Sequence, residues 1–204
     1  MEKNLTTGKF SCDFENGMYQ GDIVAGVRHG QGRMEFNNYD LYEGDWENGL
    51  MHGIGKYKFW DKSKDVFTEA YQGEFYKGIR QGKGRMEYAN HDVYFGTWQN
   101  DFRTGEGVCW FADGSMFHGI WKYDQMVRGV FRTSSGERYD GEFEKGKYHG
   151  YGKLFFVDGS WFEGVFDNDK PYRGILFTTK GEIINYSDGT QQDKTDYAGG
   201  FSQF

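Results

Sequence analysis

An aromatic residue followed two positions later by glycine recurs seven times: Tyr19/Gly21, Tyr42/Gly44, Tyr71/Gly73, Tyr94/Gly96, Phe117/Gly119, Tyr139/Gly141 and Phe162/Gly164. Successive copies lie 23, 29, 23, 23, 22 and 23 residues apart. Two residues past each glycine stands a large apolar side chain: Ile23, Trp46, Phe75, Trp98, Trp121, Phe143 and Phe166. A short, regular period of this kind constrains the fold strongly. Each unit is one supersecondary element that buries its apolar face only by stacking against its neighbours.

Within a unit, the aromatic, the glycine and the Trp or Phe occupy alternate positions, so all three point to one face of a strand. A turn cluster follows, such as Glu47-Asn48-Gly49 or Gln99-Asn100-Asp101, made of residues that tolerate positive φ. A Gly-x-Gly pair (Gly30/Gly32, Gly53/Gly55, Gly82/Gly84, Gly105/Gly107, Gly150/Gly152) then opens a second alternating strand, for example Tyr57/Phe59 or Met86/Tyr88. The pattern predicts an all-β fold, an elongated, twisted single antiparallel sheet of seven consecutive hairpin repeats with about fourteen strands. Expected boundaries are a half-repeat cap over 1–18, units at 19–41, 42–70, 71–93, 94–116, 117–138, 139–161 and 162–183, and a degenerate last strand with a flexible tail over 184–204. The second unit carries an insertion around Trp60–Ala70, and the last lacks a residue before Gly174.

Composition agrees. The chain has 32 glycines, one proline and a fifth of its residues aromatic, but only five leucines, too few to fill a thick globular core. Aromatics on a thin sheet need glycine opposite them, because a Cβ there would lift each ring off the backbone it covers. The net charge of −7 disfavours nucleic-acid binding, which needs clustered Lys and Arg. Two separated cysteines, no apolar run of about 18 residues and no signal-like N-terminus lead us to expect a reducing, cytoplasmic or cytoskeletal setting.

The unit from Tyr42 through Gly44, Trp46, Gly53 and Gly55, Tyr-Glu-Gly-Asp-Trp-Glu-Asn-Gly-Leu-Met-His-Gly-Ile-Gly, resembles the MORN (membrane occupation and recognition nexus) motif, and the likeness extends over about residues 19–183. The resemblance implies a non-enzymatic scaffold. MORN arrays occur in cytoskeletal and axonemal proteins, at membrane junctions and beside lipid kinases, so it implies a cytoskeletal setting, with a cilium or flagellum expected.

No catalytic, cofactor or metal site is expected. His29, His52 and His149 share one repeat position, and residues one repeat apart are separated by about 10 Å, too far to share a metal ion. Asp22, Asp45, Glu74 and Glu142 also share a position, on the solvated face and with no pocket around them. Gly-x-Gly precedes a strand instead of a helix, so it builds no phosphate loop.

The face opposite the rings changes along the chain. In the first three units it carries Arg33/Glu35, Lys56/Lys58 and Arg85/Glu87; from the fourth onward come Phe95, Val108, Trp110, Ile120, Phe155, Val165 and Phe177. These seven are the candidate partner-binding residues, for a protein segment or a second copy of the chain forming a homodimer. Local curvature or the tail is the other cover available. The alternative function is a peripheral module for anionic phospholipid, which the negative charge disfavours.

Overall fold

The computed structural model describes residues 7–196. Among them there is no helix, and seventeen strands follow one another: β1 Gly8–Phe14, β2 Gly17–Val24, β3 Val27–Phe36, β4 Leu41–Glu47, β5 Leu50–Asp61, β6 Val66–Tyr76, β7 Ile79–Glu87, β8 Val93–Gln99, β9 Phe102–Trp110, β10 Met116–Lys122, β11 Gln125–Arg132, β12 Arg138–Glu144, β13 Lys147–Phe155, β14 Trp161–Asp167, β15 Lys170–Phe177, β16 Glu182–Ser187 and β17 Thr190–Asp196. The chain divides into two compact units, Met1–Ala112 with β1–β9 and Asp113–Phe204 with β10–β17. In each, every strand pairs antiparallel with its sequence neighbours, giving a meander of hairpin repeats.

Three strands exceed the expected fourteen. β1 is the half-repeat at the N-terminus, paired with β2 from Gly8↔Ile23 to Phe14↔Gly17. The other two come from 182–196, where the degenerate last strand β16 continues into β17 as a further hairpin. The remainder of the expected flexible tail, from Tyr197, lies outside the described residues.

The hairpins close as the turn chemistry requires. Asn48 and Gly49 take φ of 51° and 82°, the pair of positive values that a two-residue turn matched to strand twist demands. Where glycine is missing, side chains compensate. At Asn100–Asp101 the Asp101 carboxylate accepts the Arg80 backbone N–H at 2.9 Å and the Arg80 guanidinium Nε–H at 2.9 Å. These tips also tie repeats together, since Gly49 N–H donates to the Arg28 carbonyl and Gly78 N–H to the Met51 carbonyl.

The core is one row of rings on the inner face of each unit. In the first, Tyr19, Tyr42, Tyr71 and Tyr94 are fully buried and alternate with Trp46, Phe75 and Trp98 in edge-to-face contact, with centroids 5.1–5.4 Å apart. Phe117, Phe143, Tyr139, Phe166 and Phe162 repeat the arrangement in the second. This geometry suits the aromatic quadrupole and adds about 0.5–1.5 kcal/mol per pair beyond burial. Each repeat's ring lies across the paired glycines. A Cβ on Gly55 would stand 2.3 Å from the Tyr42 hydroxyl oxygen, so the glycine requirement read from composition is steric. The Tyr42 hydroxyl donates to the Asp45 carbonyl at 2.8 Å, and the Trp46 indole donates back to the Gly32 carbonyl of the preceding repeat at 3.1 Å. Burial pushes the Tyr19 phenol up to about 12 and raises Tyr42, Tyr71 and Tyr139 as well, so these hydroxyls stay protonated donors.

The acid shared by the repeats has a structural use that its spacing did not disclose. The register slips after Gly44, leaving a bulge in which the Asp45 carboxylate accepts the Ile54 backbone N–H at 2.7 Å. Asp22 does the same for Gln31 and Glu74 for Lys83. Gly53, at φ 54° beneath that carboxylate, has no room for a Cβ.

Candidate partner-binding surface

Strand register sorts the outer-face residues into rows. In the first unit one row runs Met18, Glu35, Leu41, Lys58, Ala70, Glu87, Val93, Trp110, and the next runs Gln20, Arg33, Glu43, Lys56, Gln72, Arg85, Phe95, Val108. The face is therefore charged over β2–β7 and apolar over β8–β9. There Phe95 sits opposite Val108, and Val93 opposite Trp110. Phe95 and Trp110 remain 50% and 45% exposed, although the inner-face rings Tyr94 and Trp98 beside them are buried. Arg85 pairs with Glu87 at the border of this patch.

In the second unit the expected residues do not form one field. Phe155, Trp161 and Phe177 stand in line across β13, β14 and β15, with Ile183 next on β16. Trp161 and Phe177 are stacked, with centroids 3.9 Å apart and planes at 16°. Lys153 Nζ lies 3.6 Å from the Trp161 ring centroid and 3.4 Å from Glu163, so a cation–π contact and an ion pair hold this line on one side. A cleft of about 320 Å³ opens along Trp161, Phe177, Thr178, Glu182 and Ile183. Ile120 and Val165 lie elsewhere on the face, opposite Arg128 and Arg173 respectively. Asp140, Arg138 and Arg132 interrupt the apolar run, and Arg138 pairs with Asp140 at 3.0 Å.

Trp161, Val93 and Ile183 were missed by reading the positions flanking the repeat glycine. They occupy the position just before the repeat aromatic, or its counterpart on β16, and comparing that position across units, from Leu41 and Ala70 to Val93 and Trp161, exposes them. The shared histidines lie apart. His52 Nδ1 is 3.1 Å from Glu47, and His149 reaches Glu144 at 3.3 Å and Asp167 at 3.5 Å. Among the described residues no three His, Cys, Asp or Glu side chains converge as metal ligands. Cys109 is buried in the inner face, which raises its thiol to about 11.

No curated protein matches the chain. Similar solved structures include the TCP domain of Drosophila melanogaster SAS-4 (dCPAP) in complex with a proline-rich motif of Ana2 (dSTIL). It has 11% identity and a TM-score of 0.46, and the alignment covers 78% of this chain and 84% of that one. Another is the wild-type TCP10 domain of Danio rerio CPAP in complex with a STIL peptide, with 11% identity, a TM-score of 0.44, and coverage of 93% and 99%. Neither likeness is close enough to assign a ligand. The MORN repeat family model matches residues 19–41, 42–62, 71–93, 94–116, 117–138 and 139–161; the matches omit most of the insertion and the seventh unit. With the repeat matched over most of its length and built as stacked hairpins, the chain belongs to the MORN repeat family.

Proposed function

We propose that this protein is a non-enzymatic scaffold that holds segments of partner proteins on the outer faces of its sheet units. The carrying observation is the line Phe155–Trp161–Phe177. These rings take no part in the inner-face core, yet they are aligned across three strands, and Trp161 and Phe177 stack on each other and open to a cleft. Aromatic anchors in such a setting carry most of the energy of protein interfaces. The Phe95–Val108–Trp110 patch offers a second anchor of the same character. A cytoskeletal setting, at a cilium or flagellum, is part of the proposal. It draws on the family's occurrence and on the lengthened second unit and shortened last unit, which resemble the pattern of animal MORN-repeat-containing protein 3.

The test is affinity purification from ciliated cells with the full chain and with a Trp161→Glu/Phe177→Glu variant of matched unfolding midpoint. We expect axonemal or cytoskeletal proteins with the parent, and roughly 30-fold weaker retention with the variant, the loss of about 2 kcal/mol typical of an anchor. Equal recovery by both would remove the surface from consideration. Purely membrane-derived recovery, with flotation on acidic vesicles, would favour the phospholipid reading, and a concentration-dependent change of mass abolished by the variant would favour the homodimer.

A further inference from the structure

The insertion in the second repeat supplies two aromatic walls of a pocket, Trp60 and Phe67. β5 and β6 extend beyond their neighbours, pairing Trp60 with Phe67 at their far end. The Trp60 and Phe67 rings meet edge-to-face at 4.9 Å and 78°, and Tyr39 stands 6.2 Å from Trp60 at 45°. These three rings, with Leu41, Arg33 and Glu35, line a pocket of about 230 Å³.

The walls are held from below. Asp40 is buried, and its carboxylate accepts the Trp60 backbone N–H at 2.8 Å, the Tyr57 hydroxyl at 2.8 Å and the Asn38 amide at 2.7 Å. The turn places Tyr39 at φ 69°, which swings its ring toward Trp60. The same device recurs two repeats later, where Asp92 accepts the Ala112 N–H at 2.8 Å and His91 takes φ 70°. There alanine replaces Trp60 and histidine replaces Tyr39, so no aromatic box forms.

The charges at the mouth are also unlike their counterparts. Arg85 and Glu87 hold the equivalent positions two repeats on and pair with each other. Arg33 and Glu35 make no ion pair among the described residues, and both face the pocket. Aromatic walls attract a weakly hydrated cation through the ring quadrupole, and a quaternary ammonium group, which donates no hydrogen bonds, suits them best. A neighbouring carboxylate adds to that attraction, while a guanidinium matches an attached phosphate by paired N–H donation. From this arrangement we propose that the pocket binds phosphocholine, with the trimethylammonium group among Tyr39, Trp60, Phe67 and Glu35 and the phosphate on Arg33. The proposal is independent of the partner-protein reading, because it is tested on the chain alone.

The experiment is an NMR titration of the full-length protein with phosphocholine, choline, inorganic phosphate and a trimethyllysine peptide. Phosphocholine should give saturable shifts centred on Glu35, Tyr39, Trp60 and Phe67, with choline and phosphate each at least ~10-fold weaker. Arg33→Ala should reduce phosphocholine to the level of choline, and Trp60→Ala should abolish both while the unfolding transition stays cooperative. Co-flotation with phosphatidylcholine vesicles would assign the group to a lipid headgroup; saturable binding of free phosphocholine without flotation would assign a soluble source. No saturable shift by ~10 mM, phosphate binding as tightly as phosphocholine, or tighter binding of the trimethyllysine peptide would each overturn the proposal.

Discussion

At the residue scale, the constraint in each repeat is the space between a ring and the backbone beneath it. A Cβ on Gly55 would meet the Tyr42 hydroxyl at 2.3 Å and ring carbons at 2.4–2.5 Å, and that tyrosine is fully buried with nowhere to move. Gly26, at φ 79°, has nothing within 4 Å of its would-be Cβ. Gly55→Ala should therefore cost the ~1–3 kcal/mol of an overpacked core, or more, while Gly26→Ala should cost only the ~1–2 kcal/mol of a left-handed residue. Urea unfolding of the two variants separates the effects; equal losses would mean that the ring can slide off its glycine. Composition had already indicated this need for glycine, because a ring and a backbone in contact are a local matter within one hairpin.

At the element scale, the bulge is what composition and period did not reveal. Asp22, Asp45, Glu74 and Glu142 read as solvated acids because their spacing places them opposite the rings, and spacing says nothing of where the register slips. The slip turns a backbone N–H away from its ladder, and the carboxylate takes it up. We expect Asp45→Ala to lose about 1 kcal/mol through the unpartnered Ile54 N–H, and Asp45→Asn, which keeps an acceptor, to lose less. Thermal unfolding measures both, and identical losses would show that the charge, not the hydrogen bond, is what the position supplies. The long β5–β6 hairpin is a second case: the insertion was visible as six extra residues, but the pairing of Trp60 with Phe67 depends on a bulge between Phe59 and Trp60.

At the scale of the whole molecule, stability within each unit is a sum over neighbours, since a strand packs there against the strands beside it in sequence. Such a chain opens locally with free energies that follow the number of ring contacts each hairpin makes. In the second unit, β12 and β13 carry Tyr139, Phe143 and Tyr148 and are flanked on both sides. The β16–β17 hairpin contributes Ile184 and Tyr186 from one strand and Thr190-Gln191-Gln192 from the other. Hydrogen exchange should accordingly be slowest in β12–β13 and fastest in β17, by several orders of magnitude if the hairpin opens alone. Uniform protection through the unit would instead show that it unfolds as one cooperative block.

The sequence by itself determined the period, the antiparallel hairpins, the inner row of rings and the glycines under them. Each of these follows from alternation and sterics inside one or two strands. Tertiary structure decided which outer residues meet. Phe155 and Phe177, 22 positions apart, become one surface only because Trp161 falls between them in register, while Ile120 and Val165 are set against arginines. Tyr39, Trp60 and Phe67 converge because a buried carboxylate fixes a turn against a strand 20 residues further on. Register, bulges and turn conformation act between strands, and no pattern along a single strand records them.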